Sequence, residues 1–181
     1  MRKGVILASA LLLSACAGSP ENHYFTLSTV PPKSQPAAGR PQFHLTTVKL
    51  PDLYDRPQMV TRTGPQSVDI DEYDRWAESF ERMTARILAE DIALRRPQGG
   101  GPLPDAASQK RLQVAVEEFA ADRATGEALL SGNWKITEPD GTARGAPFSF
   151  TRPVAGGADP AAVAAALSAL LGRLADEIDR N

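Results

Sequence analysis

The fold class this sequence predicts is α+β: an antiparallel or mixed β-sheet with two amphipathic helices packed on one face, in a single domain. Two observations carry that expectation. Apolar residues recur at helical spacing in two separate stretches, and they alternate with polar ones in several shorter stretches. The order along the chain is strands, helix, strands, helix. With 181 residues, 42% hydrophobic and 23% charged, the chain can build one core of ordinary size, which excludes a polytopic membrane protein and wholesale disorder.

Tyr24-Phe25-Thr26-Leu27 reads as a first short strand, and the proline-rich run from Pro31 to Pro41 as a loop. Phe43 to Leu50 and Gln58 to Thr63 are the next strands, separated by a segment bounded by Pro51 and Pro57. Trp76, Phe80, Met83 and Ile87 then form a helical stripe, widened by Leu88 and Ile92. Asp74 is its expected N-cap, with Glu78 in the first turn and Arg95 and Arg96 at the far end before Pro97. Glu81, Arg82, Arg86 and Glu90 fall on the opposite, solvated face, and Gln98 to Pro104 is a glycine-rich loop.

In the second half, Leu112, Val114 and Val116 alternate with polar or small residues. So do Ala128, Leu130, Gly132, Trp134 and Ile136, and then Phe148 and Phe150. Turn signals at Thr125-Gly126 and Pro139-Asp140-Gly141 make these a three-stranded antiparallel meander. Asp159-Pro160 opens the last helix as N-cap and first helical residue. Its stripe is Val163, Leu167, Leu170, Leu174 and Ile178, and its alanines permit close packing.

At the N-terminus, Arg2 and Lys3 precede an apolar run from Val5 to Leu13, which fits a secretory signal and is far short of the ~20 residues of a spanning helix. Leu13-Ser14-Ala15-Cys16 resembles the lipobox of bacterial lipoproteins. That resemblance implies a signal peptide over 1–15, a lipidated tether over 16–23 and a folded domain over 24–181. It also implies a covalent diacylglycerol and an N-acyl chain on Cys16, with no other cofactor. Burial worth ~0.8 kcal/mol per methylene makes several such chains a stable anchor. Loss of Arg2 and Lys3 with the signal moves the formal charge from −2 to −4. Ala17, rather than an aspartate, after the cysteine implies sorting to the outer membrane of a Gram-negative cell, on its periplasmic face.

Little in the sequence suggests catalysis. Cys16 is the only cysteine, and the two histidines are His23, in the tether, and His44, between Phe43 and Leu45. A nucleophile, histidine and carboxylate in a recognisable pattern are missing. Asp69, Asp71, Glu72 and Asp74 do not have calcium-loop spacing and read as a loop and helix-start cluster. Gly99-Gly100-Gly101 lacks the lysine of a phosphate loop, no metal site is expected, and the acidic balance gives no footprint for nucleic acid.

Two blocks are more distinctive. Leu53-Tyr54-Asp55-Arg56-Pro57-Gln58-Met59-Val60, completed by Thr61-Arg62, and the later Arg75-Trp76-Ala77-Glu78 are similar to the signature of the PqiC (YmbA-type) lipoproteins, also called ABC-type transport auxiliary lipoproteins. The resemblance implies a non-enzymatic outer-membrane lipoprotein that assembles into a homo-oligomeric ring. It would dock an MCE-domain protein of the same system, which carries lipids between the two membranes and supports envelope integrity. Within these blocks Tyr54, Asp55, Arg56, Pro57, Gln58, Arg75 and Trp76 are candidates either for partner and oligomer contacts or for scaffold. Pro57 biases Arg56 toward extended geometry, and Asp55 and Arg56 are expected to pair with Glu78 or Arg75. The competing reading is a lipoprotein that binds lipid or an envelope polymer alone, which requires a sizeable apolar cavity. A hydrolase would instead require polar groups convergent on His44.

Overall fold

The computed structural model describes residues 20–32, 43–95, 109–157 and 159–180. The signal segment, Cys16, Ala17, most of the proline-rich loop, Arg96 and the glycine-rich loop lie outside them. The strands are β1 (His23–Phe25), β2 (Phe43–Lys49), β3 (Gln58–Gly64), β4 (Ser67–Trp76), β5 (Lys110–Asp122), β6 (Glu127–Thr137) and β7 (Ala143–Pro153). The helices are α1 (Phe80–Leu94) and α2 (Pro160–Asp179). All seven strands join one mixed sheet in the order β1-β4-β3-β5-β6-β7, while β2 runs parallel to the first half of β5. The expected α+β class therefore holds, with the antiparallel meander β5-β6-β7 as its regular half. Among the described residues no helix is long and apolar enough to cross a membrane.

Alternation decides which face of the meander turns inward. Leu112, Val114 and Val116 of β5, Ala128, Leu130, Trp134 and Ile136 of β6, and Phe148 and Phe150 of β7 are buried. A register shift between Val116 and Glu118 breaks the alternation, so Phe119 is buried where a regular strand would have turned it outward. α2 covers this face with Val163, Leu167, Leu170, Leu174 and Ile178, and packs against α1. Asp159 caps α2 by accepting from Ala162 N at 2.9 Å, with Pro160 opening the helix.

The first half departs from the expected plan in two places. Asp74 does not cap α1: residues 67–76 form a full strand, and the cap is Ser79, whose hydroxyl accepts from Arg82 N at 3.4 Å. Trp76 is thus the last residue of β4, and it reaches the helical stripe by stacking on Phe80 at 4.4 Å. The acidic composition of Asp69 to Asp74 hid this strand, because such residues disfavour sheets. Between Ile70 and Arg75 the strand bulges away from β3, and the Asp71 carboxylate closes the bulge by accepting from Tyr73 N and Asp74 N. Glu81 is also not simply solvated, since its carboxylate accepts from Leu50 N and Lys49 Nζ and ties the end of β2 to α1.

Gly132 is required by the meander itself. A Cβ there would collide with the Ala115 carbonyl of β5 and press on the Phe148 ring, beside the β5 irregularity. Gly132→Ala should therefore destabilise the protein by roughly 1–3 kcal/mol. The check is a lower urea midpoint with an unchanged slope.

Candidate functional site

The two motif blocks, with twelve residues between them in sequence, meet at the junction of β3, β4 and α1. The turn Leu53–Pro57 is closed by Tyr54 N and Asp55 N, which both donate to the Pro51 carbonyl. Pro57 has no N–H to give, but its carbonyl accepts from Trp76 N at 2.7 Å. Gln58 lies in register with Arg75. Proline stiffness thus positions the β3 start against the β4 end, which joins the two blocks.

Side chains complete the junction. Tyr54 and Trp76 are buried, and with Val60, Phe80, Phe119, Val163 and Leu167 they line a void of about 10 Å³, room for no more than one water. Phe80 stacks on Phe119 at 5.0 Å, continuing the aromatic row that Trp76 begins. Burial pushes the Tyr54 hydroxyl above its usual pKa, against an opposing pull from the Arg62 charge. Asp55 is exposed at the start of α1, where Oδ1 accepts from Ser79 Oγ and Glu81 N, both at 3.0 Å. A carboxylate there also favours the helix dipole. The expected pairing of Asp55 or Arg56 with Glu78 or Arg75 does not form. Glu78 instead accepts from Arg86 at 2.6 Å, and Arg75 Nε donates to the Glu72 carbonyl. Arg56 is part-buried, and its Nε finds no hydrogen-bond partner among the described residues.

The acidic residues of β4 serve separate partners. Asp69 pairs with Arg123 at 2.9 Å, Asp74 accepts from His23 Nδ1 at 3.0 Å, and Asp71 holds two backbone amides. His23 therefore belongs to β1 rather than to a free tether, and His44 is exposed on β2.

A third feature had no motif to announce it. After β1 the chain runs as a strap, residues 26–32, against both helices. Leu27 N donates to Met83 Sδ, Ser28 N to Ser168 Oγ at 3.0 Å, and Val30 N to Asp91 Oδ1 at 2.7 Å. Arg95, 2% exposed, fans out beneath it: Nη1 donates to the carbonyls of Asp91 and Val30, Nη2 to that of Gly172, and Nε to Asp176 at 2.7 Å. Arg95 is thus a buried cap joining α1, α2 and the strap, not an exposed cation at a helix end. The only sequence signal for this was the Asp91–Arg95 spacing of four on one helix.

Two tests follow from the strap. Burial raises the Asp91 pKa to about 6 from 3.8, against the opposing pull of Val30 N–H and the Arg95 charge. Because the folded value lies above the unfolded one, the contribution of Asp91 to stability is present in acid and is lost as pH rises through 6. Relative to Asp91→Asn, the natural chain should lose stability between pH 4 and 6 and hold a constant difference above, as read by urea melts across pH. Separately, a Cβ at Gly172 would lie 2.8 Å from Val30 Cβ. Gly172→Ala should cost roughly 1–3 kcal/mol, and Val30→Ala in the same chain should recover part of it.

The comparisons agree with this architecture. The sequence profile described as "ABC-type transport auxiliary lipoprotein component" matches residues 25–179. No curated protein matches significantly. Among solved structures, an uncharacterized protein superposes with a TM-score of 0.71 at 18% identity, covering 89% of this chain and 98% of its own. A Xanthomonas campestris protein assigned to DUF330 superposes with a TM-score of 0.69 at 19% identity, covering 86% and 92%. At such identities these neighbours speak for the fold alone. The profile match runs from the last residue of β1 to the end of α2, including both motif blocks and the strap, and so the chain belongs to the ABC-type transport auxiliary lipoprotein component family.

Proposed function

We propose that this protein is a non-enzymatic lipoprotein subunit of an MCE-type intermembrane lipid transport system. It is held on the periplasmic face of the outer membrane by acyl chains on Cys16 and docks the MCE-domain partner as a homo-oligomeric ring. The family match over residues 25–179 carries this reading, since it assigns the chain to an auxiliary component of a transport system. The geometry supports a contact role over a carrier role. Where the motif blocks converge the core is filled by aromatic rings around a void of only about 10 Å³, and the hollow of about 350 Å³ beside Trp134, Lys135, Ala143 and Pro147 is an open depression on β6 and β7 rather than an enclosed pocket that would bury a lipid. The N-terminal segment supports anchoring: a pull on it would load the pairing of β1 with β4 and then, through Ser28 and Val30, both helices.

Purification from detergent-solubilised membranes tests the proposal. The natural chain should fractionate with the outer membrane, run as an oligomer and co-purify with an MCE-domain protein, whereas Cys16→Ser should move to the soluble periplasmic fraction. A lipidated chain that neither oligomerises nor brings down an MCE-domain protein would falsify the docking role.

A further inference from the structure

The sheet carries a helix-free outer face at its β1 end. Phe25 lies in register with Trp76, whose side chain is buried against Phe80, so this parity of β1 and β4 turns inward. Tyr24 lies in register with Arg75, and Arg75 with Gln58, so these three residues form a row across β1, β4 and β3 on the opposite face. Tyr24 is 64% exposed, the most exposed large hydrophobic side chain among the described residues, and Tyr73 nearby is also exposed. Arg75 makes no ion pair among the described residues; its Nε is held by the Glu72 carbonyl. The carboxylates of Asp69, Asp71 and Asp74 are engaged elsewhere, Asp74 on the inward parity with His23.

Chain length says what this face meets. Only six residues, and so seven Cα–Cα steps, separate Cys16 from His23, the first residue of β1. Fully extended they reach ~25 Å, so β1 cannot leave the neighbourhood of the bilayer surface. We infer that the Tyr24–Arg75–Gln58 row is a second, weak contact with the phospholipid surface, which fixes the orientation of the anchored domain. A tyrosine ring suits the headgroup layer, apolar body inward and hydroxyl to water. A guanidinium suits the phosphate oxygens. The contact need not be strong, because the anchor makes it intramolecular and raises its effective concentration. This inference rests on lipidation of Cys16.

The test uses full-length lipidated protein carrying Tyr24→Trp, reconstituted in phosphatidylethanolamine–phosphatidylglycerol vesicles with a nitroxide-headgroup lipid as quencher. Trp76 and Trp134 are buried, so the unsubstituted chain gives the baseline. The inference expects emission of the introduced indole to be lost to the headgroup label, and Arg75→Gln in that background to reduce the loss while the thermal melt is unchanged. A vesicle-bound chain whose introduced indole matches the baseline overturns it and leaves the anchoring reading standing. So does an indole shielded from a soluble quencher only after the MCE-domain protein is added, which would assign the row to protein. An unmodified Cys16 and a chain that stays off the vesicles overturn the anchoring reading and this inference together.

Discussion

Much of the structure depends on one buried guanidinium. Arg95 sits where the last turn of α1, the middle of α2 and the strap converge, and each supplies it with an oxygen. A charge taken out of water survives only when its donors are satisfied, so these segments must arrive together or not at all. Gly172 lets the strap come close enough, and Ser168, which donates to the Ala164 carbonyl, turns its oxygen toward Ser28 N. The strap continues from β1, so these contacts hold the N-terminal segment from one side while its pairing with β4 holds it from the other.

The motif junction does for the sheet what Arg95 does for the helices. Pro57, with no donor of its own, receives Trp76 N. Asp55 caps α1 from outside the helix, and the Trp76–Phe80–Phe119 row fills the space between. Tyr54 and Trp76 spend their side chains on the core, whereas Asp55, Pro57 and part of Arg56 remain at the surface of the same turn. One short block therefore holds the fold and also presents groups that a partner can meet. A rigid turn is a good place for both, because its exposed atoms are positioned by buried neighbours.

Legibility in the sequence followed the range of the interactions. The meander, α2 with its Asp159-Pro160 start, and β2 and β3 are written in local periodicity and turn chemistry, and they stand where those signals placed them. β4 escaped because Asp69, Asp71, Glu72 and Asp74 look like a loop, and the Asp71 bulge and the Arg123 and His23 contacts that accommodate them come from outside the strand's own pattern. The helix start shifted for a related reason: Trp76 falls on the helical stripe by spacing, but it reaches that stripe from the end of a strand. The motif residues were visible as a family pattern, while their division into core and surface was not.

The sequence by itself determined the fold class, both amphipathic helices, the regular half of the sheet and the family of the chain. Those properties are local or cumulative, and each residue contributes to them whatever its distant neighbours do. Only the tertiary structure decided that Arg95 is buried rather than solvated, that Glu81 braces β2, and that residues 26–32 lie across both helices. It alone also set Tyr24 beside Arg75 on an open face. Each of these is a pairing between residues far apart in the chain. The free energy of such a pairing depends on burial and geometry that no stretch of sequence contains, which is why single residues of ordinary type became the points that join the molecule.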